Sequence, residues 1–177
     1  MMKKLMALVI VVMVALTGIV CAAGAEETFT FRNGIHFGMN MDQVIAAETA
    51  RYHEIDNEHT HGHVTFGELE YEHVTENGAR ADLKYLFVGN ELVAIRVNYE
   101  DRAISYNQLL ADLTAQFGAA GPVDTQKLGN GIFAADDDGW LEGRAEAIES
   151  GDMMIILERD DDDIDVTFID LTAAYIR

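Results

Sequence analysis

Asn40-Met41-Asp42-Gln43-Val44 and Ser105-Tyr106-Asn107-Gln108-Leu109 read as one helix start written twice, 65 residues apart. In each, a small polar residue takes the N-cap and a glutamine three positions on can bond back to the N–H of the cap. Apolar residues flank both caps as a staple, Met39 with Val44 and Ile104 with Leu109. The second helix carries the fuller stripe: Tyr106, Leu109, Leu110, Leu113 and Phe117 recur at helical spacing, and Gly118 follows as a left-handed terminator. The first is thinner, with Met41, Val44, Ile45 and Tyr52 on one face.

Outward from each helix start the period changes to two. Val64 to Val74, Ala81 to Val88 and Leu92 to Tyr99 follow the first helix, the last two joined by the hairpin pair Gly89-Asn90. Leu83, Tyr85 and Phe87 share one strand face, as do Val93, Ile95, Val97 and Tyr99. The alternation slips at Gly67, where a bulge is expected to restore it. Trp140 to Ile148, Met153 to Glu158 and Ile164 to Ile169 follow the second helix, with Met153, Ile155 and Leu157 opposite Ile164, Val166 and Phe168. Fainter first strands are expected at Glu54 to His59 and Val123 to Lys127.

The expected fold is therefore α+β, with two tandem modules over residues 28–100 and 101–172, each a helix packed on a roughly four-stranded antiparallel sheet. A single helix layer buries only one side of a sheet. The opposite side is expected to be free and to carry Lys84, Arg96, Asn98, Glu68, Glu70, Arg144 and Glu146, mixed with Leu86 and Val88. Such a mixture suits protein binding, and Lys84, Leu86, Arg96 and Arg144 are the expected partner contacts.

Lys3 and Lys4 precede an apolar run from Leu5 to Leu16 and then small residues, the pattern of a secretory signal peptide over 1–25. Ala23-Gly24-Ala25 places cleavage after Ala25, which leaves 152 of the 177 residues and, without Lys3 and Lys4, moves the charge from −19 to −21. Two rival readings stand beside cleavage: lipidation at Cys21, which Val20 precedes where a small residue is usual, and an uncleaved anchor from Leu5 to Ala25. The expected location is outside the cytoplasmic membrane, secreted or in the cell envelope. A membrane link would come only through an uncleaved or lipidated N-terminus.

With 12 Lys and Arg against 31 Asp and Glu, the chain cannot neutralise a row of phosphates, which excludes a nucleic-acid partner. One cysteine excludes a disulfide framework. No G-x-S-x-G, H-E-x-x-H, phosphate loop or dinucleotide fingerprint occurs, so neither an enzyme nor a cofactor is expected. Two alternatives remain. His53, His59, His61 and His63 crowd one stretch, and in an extended chain His59, His61 and His63 point one way about 6.5 Å apart. The first alternative is a secreted metal- or small-ligand-binding protein using this stretch; no metal is expected, and these three are the candidates should an ion bind. Glu68, Glu70 and Glu72 alternate along one strand, the carboxylate pattern a small glycan hydrolase would need. The acidic runs Asp136 to Asp138 and Asp160 to Asp163 lack the ligand pattern of an EF-hand and read as solvated loops.

The stretch Phe31-Arg32-Asn33-Gly34-Ile35-His36-Phe37-Gly38-Met39-Asn40-Met41-Asp42-Gln43-Val44 resembles the helix start of small outer-membrane assembly lipoproteins and of tandem beta-lactamase-inhibitor-protein-like modules. Leu113-Thr114-Ala115-Gln116-Phe117-Gly118, followed by Gly121-Pro122, is similar to the helix end of that group. The resemblance spans roughly residues 28 to 171 and implies two similar α+β modules whose joined sheets grip a protein partner. The target-contacting residues of that group match nothing here, and the first copy lacks the glycine-proline end after Tyr52. The expected function is a non-enzymatic, envelope-associated or secreted protein-binding module.

Overall fold

The computed structural model describes residues 29–50, 54–61, 64–100, 104–124, 127–128, 144–159 and 163–173. The expected signal peptide with Cys21 and Ala25, Tyr52, His53, His63, Asp136 to Asp138, Trp140 and Asp160 to Asp162 lie outside the described residues.

Helix α1 (Met41–Ala47) opens on the expected capping box: Gln43 N–H donates to Asn40 Oδ1 and Asn40 N–H donates to Gln43 Oε1, both at 2.9 Å. Its start is pinned to the sheet, because Gly38 N–H donates to Leu92 O and Leu92 N–H to Met39 O. Helix α2 (Tyr106–Phe117) also begins after its expected cap, but Ser105 makes no side-chain cap bond. Gln108 instead donates forward to Asp112 Oδ1 at 2.9 Å, one turn along the helix, where a side-chain partner competes with the cap. The apolar stripe forms as expected, with Tyr106, Leu109 and Leu113 buried. Gly118 follows at φ 122°, ψ −174°, an extended conformation open only to glycine rather than the left-handed helical one expected.

The strands are β1 (Glu54–His61), β2 (Val64–Glu76), β3 (Ala79–Val88), β4 (Glu91–Tyr99), β5 (Ala120–Gly121), β6 (Arg144–Ser150), β7 (Met153–Arg159) and β8 (Ile164–Asp170). They form one antiparallel sheet in the order β1-β2-β3-β4-β8-β7-β6-β5, seven full strands edged by the two-residue β5. Separate sheets under each helix are thus replaced by one continuous ladder, with β4 paired to β8 from Tyr99–Ile164 to Ala94–Ile169. The reason is visible in burial: β8 is buried on both faces along nearly its whole length, and an edge strand of that composition would expose an apolar ladder.

Four local expectations are corrected. Of the strand expected at Val123 to Lys127, the described residues Val123, Asp124 and Lys127 are not in a strand; β5 pairs Ala120 and Gly121 with Ile148 and Ala147, then stops at Pro122, which has no N–H to donate. β6 reaches Ser150, beyond the expected end at Ile148. Gly67 is not a bulge, since it pairs regularly with Phe87. Phe66 turns to the outer face, while a Cβ on Gly67 would stand 3.2 Å from Met41 Cε of α1. The bulges lie in β1 between Asp56 and His59, in β2 between Tyr71 and Val74, and between the Leu86–Ala94 and Phe87–Leu92 pairs. That last bulge puts Val93 in the outer cluster, while Ile95, Val97 and Tyr99 keep the inner face. The Gly89-Asn90 turn has both residues at positive φ (57° and 67°), and Asn77-Gly78 joins β2 to β3 the same way.

The main core lies under the helices and draws on both halves of the chain: Val44 of α1, Leu109 and Leu113 of α2, Tyr85 of β3, Ile155 of β7 and Phe168 of β8 are in one cluster. Within it Glu48, just past α1, is a buried carboxylate with a guanidinium partner, and its side chain is 0% exposed. Tyr85 Oη donates to Glu48 Oε2 at 3.0 Å, Asn33 Nδ2 to Oε1 at 2.7 Å, and Arg32 Nε lies 3.2 Å from Oε1.

Burial pushes the phenols of Tyr71 and Tyr99 up from 10.0 to about 12, and that of Tyr85 upward as well, with Glu48 adding repulsion at Tyr71 and Tyr85. A phenol held neutral in the fold and free to ionise when unfolded stabilises the fold fully below pH 10.0, and that contribution is lost as pH rises through about 12. Absorbance titration is therefore expected to show these three of the six tyrosines silent at pH 10.0 and ionising together with alkaline unfolding. Independent ionisation of all six near pH 10.0, with the fold intact, would contradict their burial.

Candidate protein-binding face

Register builds the outer face in cross-strand rows. One row runs Glu68, Leu86, Ala94, Ile169, Met154 over β2, β3, β4, β8 and β7. The next runs Glu70, Lys84, Arg96, Thr167, Ile156, and the third runs Asp82, Asn98, Asp165, Glu158. The face is thus divided. Toward the β3–β4 turn and toward β7 it is apolar, and Leu86, Val88, Ala94, Met154, Ile156 and Ile169 are buried in a second cluster with Leu128 and partly buried Val123, Leu171 and Ala173.

This division corrects the free face expected from the sequence. Leu86 is 3% exposed and Val88 6%, so neither offers an apolar contact to a partner. Glu146 is on the helix side, where Tyr106 Oη donates to its Oε2 at 3.3 Å. Arg144 pairs with Arg159 at the start of β6, and its side chain lies outside what the structure describes.

Lys84 and Arg96 do meet on the outer face, directly opposite each other across β3 and β4. Each is held by acids. Lys84 Nζ is 2.8 Å from Glu70 Oε1 and 3.1 Å from Glu68 Oε2. Burial alone would lower the affinity of this ammonium for its proton, but the bonds and charges of Glu70 and Glu68 prevail and raise its pKa above 10.5. Arg96 Nη2 donates to Asp165 Oδ2 at 2.7 Å, and Asn98 Nδ2 donates to Asp165 Oδ1 at 2.9 Å. Glu70, Glu72, Asp82, Lys84, Arg96 and Asn98 line a shallow depression of about 300 Å³. Lys84 and Arg96 stay only about a quarter exposed, so the strip is ordered and water-facing along its rim.

Asp82 and Asp165 are the site residues that the sequence did not announce; Asp165 is the less local of the two. Its alternation outward in β8 beside Thr167 was readable, but its pairing with Asn98 comes from a register spanning 67 residues, which no local pattern carries. Of the three candidate metal-binding histidines, His59 and His61 lie in β1 opposite Phe66 and Val64, and their side chains fall outside what is described. The three strand glutamates do not act as a set: Glu68 and Glu70 share one ammonium, and Glu72 sits in the β2 bulge.

No family model, curated protein or solved structure matches the chain. No helix among the described residues is long and apolar enough to cross a membrane.

Proposed function

We propose that this chain is a non-enzymatic protein-binding module acting outside the cytoplasmic membrane, and that it docks a basic partner on the polar half of its outer sheet face. One observation carries the reading: five carboxylates (Glu68, Glu70, Glu72, Asp82 and Asp165) surround two cations (Lys84 and Arg96) on adjoining strands, on a chain of net charge −19. The paired cations fix the acids in position, and the carboxylate excess draws positive partners and sets their register. Strand-borne groups of this kind are pre-ordered, so little side-chain entropy is lost on docking.

We also read the two halves as copies of one unit. In support, α1 is followed by β1 to β4 and α2 by β6, β7 and β8 with the two-residue β5 at the edge, and the halves meet where Val97 of β4 faces Val166 of β8. That arrangement is the one implied by the resemblance to tandem inhibitor-like modules and assembly lipoproteins. The basic flank and apolar run at Lys3 to Leu16 support export as the route to such a partner.

Capture from envelope extract on the immobilised chain, at low and at high salt, tests the reading against the double variant Glu68→Gln, Glu70→Gln. A basic protein is expected to bind at low salt, to be released at high salt, and to bind about tenfold more weakly to the double variant. Lys84 is 25% exposed and can be hydrated in that variant, so its folding stability should fall by about 1 kcal/mol or less. Capture that ignores both salt and the two substitutions would refute the docking surface.

A further inference from the structure

We propose that His73, Asp82 and Glu100 form a binding site for a divalent transition-metal ion such as zinc, at the end of the outer face away from the β3–β4 turn. The site is made by the bulge in β2. Tyr71 pairs with Leu83 and Val74 with Ala81, so Glu72 and His73 together oppose the single residue Asp82. His73 takes up the extra length at φ 56°, in the left-handed region that histidine enters more readily than most residues.

That turn gives His73 two roles. Its backbone N–H donates to Asp82 Oδ1 at 2.6 Å and fixes the carboxylate. Its ring Nδ1 lies 3.5 Å from the same oxygen and 3.0 Å from Glu100 Oε1, just past the end of β4. All three donor atoms fall within 4.8 Å of one another. Ligands bonded to zinc at about 2.0–2.2 Å in a tetrahedron stand about 3.3–3.6 Å apart, so the 3.5 Å separation from Asp82 falls in that range and the 3.0 Å separation from Glu100 just below it.

One imidazole nitrogen and two carboxylate oxygens make a borderline donor set, suited to zinc and its first-row neighbours. The imidazole separates this group from an ordinary acidic patch, which would favour only hard cations through solvated oxygens. Arg80 Nε holds Glu100 Oε1 at 2.9 Å, an outer partner that orients the carboxylate while one net negative charge remains across the two acids and the guanidinium. All three ligand side chains reach solvent, leaving the remaining coordination positions to water or to a group from a partner. A metal bound at Nδ1 takes the lone pair of that nitrogen and leaves the ring hydrogen on Nε2.

Cobalt(II), whose visible absorption reports nitrogen and oxygen ligation, is the probe on the full chain. The variants are His73→Asn, which retains a residue tolerant of the left-handed backbone, Glu100→Gln, which carries no backbone constraint, and a triple replacement of His59, His61 and His63 by alanine. One cobalt per chain should bind saturably and be displaced by zinc. The triple variant should keep this binding, and His73→Asn and Glu100→Gln should each weaken it by at least about tenfold with circular dichroism unchanged. Absence of saturable binding to the unaltered chain, its survival in Glu100→Gln, or its loss in the triple variant would overturn the proposal.

Discussion

Replacing Glu48 by alanine is expected to lower the folding stability by about 3–5 kcal/mol, the cost of removing one partner from a buried charge pair. The carboxylate is fully enclosed and receives Tyr85, Asn33, the Thr49 N–H and Arg32 at once. Alanine leaves the Arg32 guanidinium facing the core side of the fold and Tyr85 Oη without its acceptor. Arg32 would keep Glu76 Oε2 at 3.1 Å, which limits the loss to the lower part of that range if the arginine swings outward. For a domain of this size the loss corresponds to a fall in Tm of about 6–20 °C. Glu48→Gln, which keeps an acceptor for Tyr85 but sets an amide NH2 against the donors of Asn33, Thr49 and Arg32, should also destabilise, by less than alanine because the cavity is not opened. Urea unfolding at neutral pH measures both, and a loss below about 1 kcal/mol for the alanine variant would contradict the network.

Phe168→Ala is expected to cost a similar amount, about 3–5 kcal/mol, through the cavity left by a large ring. Phe168 of β8 lies 5.1 Å from the ring of Phe29, 5.8 Å from Phe31 and 6.4 Å from Phe117, so it ties the N-terminal segment and α2 to the strand beside β4. Those ring contacts add to the area buried. Because one core and one ladder run through both halves, the variant should unfold in a single transition at lower denaturant, with signals from the two halves coinciding. Two separated transitions, with the first half melting at its original midpoint, would show that the halves are energetically independent.

Local chemistry was readable wherever neighbours in sequence are neighbours in space. The Asn40–Gln43 box, the Gly89-Asn90 turn and the face shared by Met153, Ile155 and Leu157 formed as their spacing implied. Ser105 shows the limit of that logic, because Gln108 had a second acceptor one turn ahead in Asp112. Gly67 shows another: it stays in register with β3 where α1 approaches, and the bulge expected at it lies instead in β1, opposite it, while the bulges of β2 and β4 fall at residues of ordinary appearance. Leu86 and Lys84 share a strand face and differ only by one cross-strand row, yet one is buried and the other lines a depression. Burial on an open sheet depends on what folds over it, and that is not written in the strand. Glu48 gave no signal at all, since its side-chain partners are 15 to 37 residues away.

Site-specific photo-crosslinking in the native envelope tests most directly whether the outer sheet face is the docking surface. A photoreactive amino acid would replace Glu70 or Asn98 on that face, and Ala111 or Gln116 on the exposed side of α2 in parallel. Adducts to one basic protein from Glu70 and Asn98, diminished by high salt and absent from Ala111 and Gln116, are the expected result. Adducts formed only from the α2 positions, or from neither pair, would contradict it.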